Sequence, residues 1–246
     1  MVNQVNYSFH GVASILFSQK IKVFTGLIQS TGTVSVEGDD RLLVTIDPHG
    51  VKSIVTDIAI GDSIAVDGVC LTVEEFTANS FVVTASPETL SRSTLGHSLQ
   101  RATKVNLETS LRVGSKIGGH FVSGHVDGIG CLVESIPTGK AWEMTFTSPP
   151  GMEDQWEMYI SRYIVSKGSI AVNGVSLTVS QCHPRGRWFK VAVIPVTYGE
   201  TNLSRLEMGD VVNLEGDILS KYVERLIGGK GSSEEISLEF LSEHGY

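Results

Sequence analysis

Cys70 lies in the stretch SIAVDGVCLTV, Ser63–Val73, and a near copy, SIAVNGVSLTV, fills Ser169–Val179 with Ser176 at the matching position. Nine of the eleven letters agree across a spacing of 106 residues. A thiolate is a strong nucleophile and a neutral hydroxyl a weak one, so the exchange changes reactivity while nearly preserving shape. Asp67-Gly68 and Asn173-Gly174 are two-residue hairpin signals, since both central positions of such a turn need positive φ. Pairing outward from the turn sets Val66 opposite Val69, Ala65 opposite Cys70, Ile64 opposite Leu71 and Ser63 opposite Thr72. Alternation then sends Ile64, Val66, Val69, Leu71 and Val73 to an apolar face. Ser63, Ala65, Cys70 and Thr72 form a small polar face, repeated as Ser169, Ala171, Ser176 and Thr178. Such a face cannot drive core packing, and its retention in both copies points to a ligand pocket in each half. Taken alone, Cys70 also fits a buried structural thiol.

The second cluster able to do chemistry is GGHFVSGHVDG, Gly118–Gly128. His120 and His125 are five residues apart, a poor spacing for two metal ligands on one strand face, and no third ligand is near. No metal site is expected. The glycines permit close backbone approach to a ligand, and a bulged strand at a domain junction is the structural alternative. His125 aligns with Leu27 of the first half, so it is a polar novelty of the second and a candidate proton carrier.

Composition narrows the classes. Net charge is −8, which gives no overall positive field for nucleic acid or an anionic membrane. The small basic group Pro184–Trp188 falls where a hairpin tip should lie. Cys70, Cys131 and Cys182 make an odd count without a CxxC pair, so reduced thiols in a cytoplasmic protein are expected rather than a disulfide framework. No apolar run is long enough for a membrane helix.

The elements that must position these residues come in two sets. VFTGLIQSTGTV from Val23 lines up with FVSGHVDGIGCL from Phe121; strand-like runs from Phe81 and Phe189 each end near a proline, Pro87 and Pro195; KVNLE and VVNLE close the halves at Lys104 and Val211. This is a duplicated unit of short β-branched runs punctuated by Gly, Asp and Asn. An all-β fold is expected: two tandem Greek-key barrels, 23–119 and 120–216, whose closure removes exposed edges. After them DILSKYVERLIGG places Ile218, Leu219, Tyr222, Val223 and Leu226 on one stripe, with Asp217 as N-cap and Gly228 as stop. That predicts an amphipathic helix over 217–228, buried either on a partner subunit or on its own barrel. Residues 1–22 read as a weakly ordered extension, with an organelle (plastid) targeting remnant as the alternative, and 229–246 as a flexible tail.

FTG near the start, GVCLTV, GGHFVSGHVDG, KGSIAVNGVSLTV and NLEGD followed by KYVERL together resemble riboflavin synthase of the duplicated lumazine-binding type, in order and in both halves from Val23 to Gly229. The resemblance implies a homotrimer gathered by the C-terminal helix and no metal or cofactor. It implies a dismutation of two 6,7-dimethyl-8-ribityllumazine molecules, giving riboflavin and 5-amino-6-(D-ribitylamino)uracil between the N-barrel of one chain and the C-barrel of a neighbour. It also implies association with lumazine synthase. Roles carried over by the resemblance are chemical for Cys70, Ser63, His125, Ser176 and Asp217. Substrate contact is implied for Gly26, Leu27 and Ile28; Cys70, Leu71 and Thr72; Thr84, Ala85, Ser86, Pro87, Glu88 and Thr89; and Gly124, His125 and Val126. In the second half it is implied for Lys167; for Ser176, Leu177 and Thr178; and for Val193, Ile194, Pro195, Val196, Thr197 and Tyr198. Much of this contact is expected from backbone.

Three departures from the family pattern carry expectations. Val196 stands where the first copy keeps Glu88, which alters contacts to the ribityl chain. Gly216 replaces a common apolar residue and should loosen the approach to the helix. Family chains begin just before FTG, so the native start is expected at Val23, read from a GTG codon. A non-catalytic lumazine or flavin carrier is the rival reading, and it is disfavoured by the presence of Cys70, Ser63 and His125. A flavin-dependent reductase is disfavoured by the lack of a nicotinamide fingerprint.

Overall fold

In a computed structural model of the chain, the described residues are 23–38, 40–96 and 103–228. The expectations for 1–22 and 229–246 lie outside them. The first half contains β1 (Ser30–Val36), β2 (Arg41–Ile46), α1 (Val51–Val55), β3 (Ser63–Val66), β4 (Val69–Phe76), β5 (Ser80–Thr84), α2 (Pro87–Arg92) and β6 (Thr103–Thr109). The second repeats it as β7 (Gly128–Thr138), β8 (Ala141–Thr147), α3 (Glu153–Tyr159), β9 (Ser169–Val172), β10 (Val175–Cys182), β11 (Trp188–Val193), α4 (Pro195–Glu200) and β12 (Val211–Gly216). One longer helix follows, α5 (Ile218–Gly228).

Each half closes into an antiparallel six-stranded barrel, in the orders β1-β2-β5-β4-β3-β6 and β7-β8-β11-β10-β9-β12. The duplication is thus two tandem barrels followed by a helix, as expected. Both hairpins of the repeated phrase have the anticipated register, with Ala65 opposite Cys70 and Ala171 opposite Ser176. Asp67 and Gly68 have φ of 48° and 77°, Asn173 and Gly174 46° and 77°, the positive values a two-residue turn requires. The apolar face fills the cores: Ile64, Val66, Val69, Leu71 and Val73 in the first barrel, with Ile170, Val172, Val175, Leu177 and Val179 in the second. A register slip between Val73 and Glu75 recurs between Val179 and Gln181, so even the bulge is duplicated.

Three features refine the sequence reading. The proline runs do not stay extended: Pro87 and Pro195 are the first residues of single-turn-scale helices, where proline's fixed φ and missing N–H cost nothing. Gly216 does not loosen the join to α5. Its N–H donates to Asp127 Oδ2 at 2.8 Å, and a side chain there would collide with Tyr163, which lies across it. The small face of the repeated hairpin is only partly a pocket wall. Ala65 and Ala171 meet Phe24 and Val122 in an apolar cluster between the barrels, with Cys70 packed against it.

That cluster marks where the chain crosses over. Phe24 and Val122 pair as an isolated antiparallel bridge, Phe24 N–H to Val122 O at 2.8 Å and Val122 N–H to Phe24 O at 3.1 Å. Beside it the two hairpin tips abut, and a side chain on Gly68 would stand 2.7 Å from the backbone nitrogen of Gly174. A buried polar lattice ties the tips together. Asp67 Oδ1 accepts from Asn106 N–H at 2.7 Å and Asn202 Nδ2 at 2.9 Å. Asn173 Oδ1 accepts from Asn213 N–H at 2.8 Å. Asn106 Nδ2 donates to Asn173 O, and Asn213 Nδ2 to Asp67 O, each at 2.9 Å. The one titratable side chain in this repeated set is Asp67, whose pKa full burial pushes up to about 8 despite the two bonds it accepts.

Candidate active site

The mouth of the first barrel is finished by the second half of the chain. Cys70, half-buried on β4, donates its N–H to the Gly124 carbonyl at 2.9 Å. Gly124 has φ of 78°, and a side chain there would stand 2.5 Å from the Cys70 Cβ; only glycine lets the strands approach. The next residue, His125, is exposed, and Val126 packs into the first barrel's core. Opposite them, Ser86 caps α2 by accepting the Thr89 N–H at 3.1 Å and so presents Glu88, Thr89 and Arg92. Lys221 of α5 closes the far side, its Nζ 2.6 Å from Asp127 Oδ1. These groups surround a cavity of about 510 Å³, within the range of small-molecule sites.

The mouth of the second barrel is built by the reciprocal crossing. Ser176 N–H donates to the Gly26 carbonyl at 2.9 Å, and Gly26 has φ of 72° with the Ser176 Cβ 2.6 Å from where its own would lie. Leu27 is exposed and Ile28 packs against the second core. On the α4 side Ile194 and Val196 are exposed, while Tyr198 stacks on Trp142 at 4.0 Å. Ser176 Oγ lies 2.7 Å from His120 Nδ1. That imidazole is buried, and its Nε2 has no hydrogen-bond partner among the described residues. Burial holds its pKa below the ordinary histidine value, and the charge of Asp217 pulls the other way. A neutral imidazole beside a hydroxyl can orient that hydroxyl and pass a proton along it.

Two carboxylates hold the crossing segments. Glu108 at the end of β6 accepts the Thr25 N–H and hydroxyl on Oε1, each at 2.7 Å, and the Gly26 N–H on Oε2 at 2.9 Å. Glu215 on β12 does the same for Ser123 N–H and hydroxyl, each at 2.7 Å, and for Gly124 N–H at 3.0 Å. Burial raises both pKa values, that of Glu215 to about 6.

The sequence-derived residues divide accordingly. Cys70, Glu88, Thr89, Gly124, His125 and Val126 meet in the first cavity, and Gly26 and Ser176 touch at the second mouth. Thr72, Thr178 and Lys167 are exposed, with Lys167 at φ of 68° giving its N–H to Val179 O. Leu71, Ala85, Leu177 and Val193 point into the cores, so any ligand contact from them is through backbone. Thr84 ends β5, Ser86 and Pro87 open α2, and Pro195 and Thr197 belong to α4. Ser63 is buried on β3, and its carbonyl accepts Ser110 N–H at 3.2 Å. Asp217 caps α5 by accepting Leu219 N–H at 3.0 Å. Sequence reasoning misses Glu108, Glu215, Arg92, Asp127 and Lys221, and takes up His120 only as a metal ligand. A signal existed for the two glutamates: each half repeats an acid at the end of an apolar strand and a Thr/Ser-Gly pair near its start.

Residues 25–110 and 123–217 match the Lumazine binding domain family. The chain is 39% identical to riboflavin synthase of Actinobacillus pleuropneumoniae over 228 residues, covering 91% of this chain and 100% of that one. It is 35% identical to riboflavin synthase of Bacillus subtilis, with 91% and 100% coverage, and 39% identical to that of Saccharomyces cerevisiae, with 83% and 86% coverage. The chain belongs to the riboflavin synthase family. Among solved structures it shares its fold with LumP complexed with 6,7-dimethyl-8-(1'-D-ribityl) lumazine, at TM-score 0.62, 22% identity and coverage of 78% of this chain and 98% of that one.

In this chain the two mouths are built alike but furnished unequally. Cys70, His125, Glu88 and Arg92 of the first stand where Ser176, Leu27, Val196 and Glu200 stand in the second. Asp127, which accepts the Gly216 N–H, stands where Gln29 accepts the Thr109 N–H at 3.0 Å. The first mouth therefore presents a thiol, an imidazole, a carboxylate and a guanidinium where the second presents a hydroxyl, two apolar side chains and a carboxylate. No helix among the described residues is long and apolar enough to cross a membrane, and no His/Cys/Asp/Glu group there could hold a metal ion.

Proposed function

We propose that the protein dismutates two 6,7-dimethyl-8-ribityllumazine molecules, moving four carbons from one to the other to give riboflavin and 5-amino-6-(D-ribitylamino)uracil. The two products together contain every atom of the two substrates, so no external oxidant, reductant or cofactor is needed. The observation that carries this reading is the pair of like mouths with unlike chemistry. Identical reactants need similar pockets, and the roles of donor and acceptor need dissimilar groups. In the first pocket the Cys70 thiol or the Ser63 hydroxyl adds to the ring or holds a water against it, and His125 takes a proton from the reacting methyl group. In the second, Ser176, with His120 behind it, contacts the other ring, and Thr178 and Lys167 flank that contact.

Both mouths belong to one chain, but the facing pair is completed by a neighbour: the N-barrel of one subunit opposes the C-barrel of the next in a homotrimer. Support comes from α5, where Leu219, Tyr222, Val223, Leu226 and Ile227 are 52–76% exposed in the single chain. Holding two rings face to face is worth about 7–11 kcal/mol of the barrier. The cytoplasm, with its reduced thiol pool, suits Cys70. Mixing the purified protein with dimethylribityllumazine tests the reading: one riboflavin should form for every two substrates consumed. Tight binding without turnover would instead favour a lumazine carrier.

A further inference from the structure

We propose that Glu108 and Glu215 are positioning residues that act crosswise, each setting the pocket of the barrel to which it does not belong. Glu215 is part of the second barrel, yet the loop it grips, Ser123–Gly124, carries His125 and Val126 over the mouth of the first. Glu108 is part of the first barrel, and the loop it grips carries Leu27 and Ile28 over the mouth of the second. Both side chains are almost wholly buried, at 4% and 2% exposure.

The chemistry of the grip calls for a carboxylate. Three donors converge on two oxygens, and each oxygen must accept. A glutamine offers one oxygen only, and its amide N–H₂ would face the Gly26 or Gly124 N–H, two donors together. A buried carboxylate is an expensive way to glue strands, because burial opposes its charge. Here the charge fixes the loop to a tolerance that the mouth demands. Gly124 sits against Cys70 and Gly26 against Ser176 with no room for a side chain, so a displaced loop moves the carbonyl that receives the Cys70 or Ser176 N–H. The Ser123 and Thr25 hydroxyls extend the grip one residue further, each accepting at 3.3 Å from the N–H of His125 or Leu27.

The test is a thiol-labelling comparison on the full chain, with alkylation at each cysteine resolved by peptide mass. Cys70 reports the first mouth, and in an S176C background the reporter thiol occupies the equivalent place in the second. E215Q should raise the alkylation rate of Cys70 about tenfold and leave the S176C reporter within about twofold, and E108Q should do the reverse. S123A and T25A, which remove one hydroxyl donor each, should give the same crossed pattern at smaller amplitude without endangering folding. A change confined to the variant's own barrel, an equal rise at both mouths, or no change at either would overturn the proposal. The role builds on the functional reading above, so a kinetic arm accompanies the labelling: with dimethylribityllumazine as probe, E215Q and E108Q should each reduce turnover. A wild-type protein that fails to bind this probe would sink the functional reading, while the labelling would still decide the crossed grip.

Discussion

Cys70 and Ser176 occupy equivalent places, with matching backbone bonds to Gly124 and Gly26, yet differ in the one atom that matters for nucleophilicity. Replacing Cys70 with serine therefore makes the first mouth a chemical copy of the second at this position. C70S should bind dimethylribityllumazine within about twofold of the wild type but turn it over at least about tenfold more slowly. Steady-state kinetics alongside a binding titration separates the two effects, and unchanged turnover removes the thiol from the chemistry. At this scale much was legible in the sequence, because Cys70, His125 and Ser176 are small departures inside a repeated frame. His120 was not. Its importance comes from a 2.7 Å approach to Ser176, 56 residues away, which no local spacing reports.

Among the elements, the hairpins were the most readable, since an Asp-Gly or Asn-Gly turn fixes register and register fixes which side chains face the core. The short helices α2 and α4 were harder: their six residues carry too little periodicity, and only Ser86 followed by Pro87 marks a start. Helix α5 is recognisable from its stripe, but a stripe alone does not say whether it meets a partner subunit or its own barrel. In the single chain, α5 rests on its own barrel through polar bonds, Lys221 to Asp127 at 2.6 Å and Glu224 to Arg162 at 2.7 Å and Tyr163 at 2.8 Å. Leu219, Tyr222, Val223, Leu226 and Ile227 are exposed, while Ile218 is half-buried. Replacing Tyr222 and Leu226 with lysine should thus leave far-UV circular dichroism intact while shifting sedimentation from the proposed trimer to monomer. Turnover should fall by at least about 100-fold, because the proposed shared site then lacks its second half. A fully active monomer would contradict the shared site.

Across the whole molecule, the junction between barrels depends on a carboxyl kept in the dark. Asp67 is raised to about 8 in the folded protein, well above the ordinary aspartate value. The folded state then binds this proton more tightly than the unfolded chain. The resulting stability is greatest below the ordinary value, and is lost as pH rises toward 8, at no more than about 1.4 kcal/mol per pH unit. Asn173 fills the equivalent place without a charge, accepting the corresponding N–H at 2.8 Å. D67N should therefore flatten the decline in melting temperature that the wild type shows between about pH 5 and 8. Parallel declines in both proteins would assign the slope to other groups. The duplication made two barrels evident from sequence, but not that they trade loops. Trading leaves no trace in an alignment of the halves, because each loop keeps its own place in the order of the chain.

The exchange of loops also gives the two pockets different birthdays. A polypeptide emerging from the ribosome presents residues 24–28 long before the barrel they will cover exists. The first barrel has its last strand once Thr109 is out, but it waits for residues 123–126 before its mouth has a rim. The second barrel, by contrast, finds its rim already waiting when β12 arrives. Nascent chains halted between these points would hold a closed β cylinder around an unfinished entrance, and the thiol at its lip would be at its most exposed then.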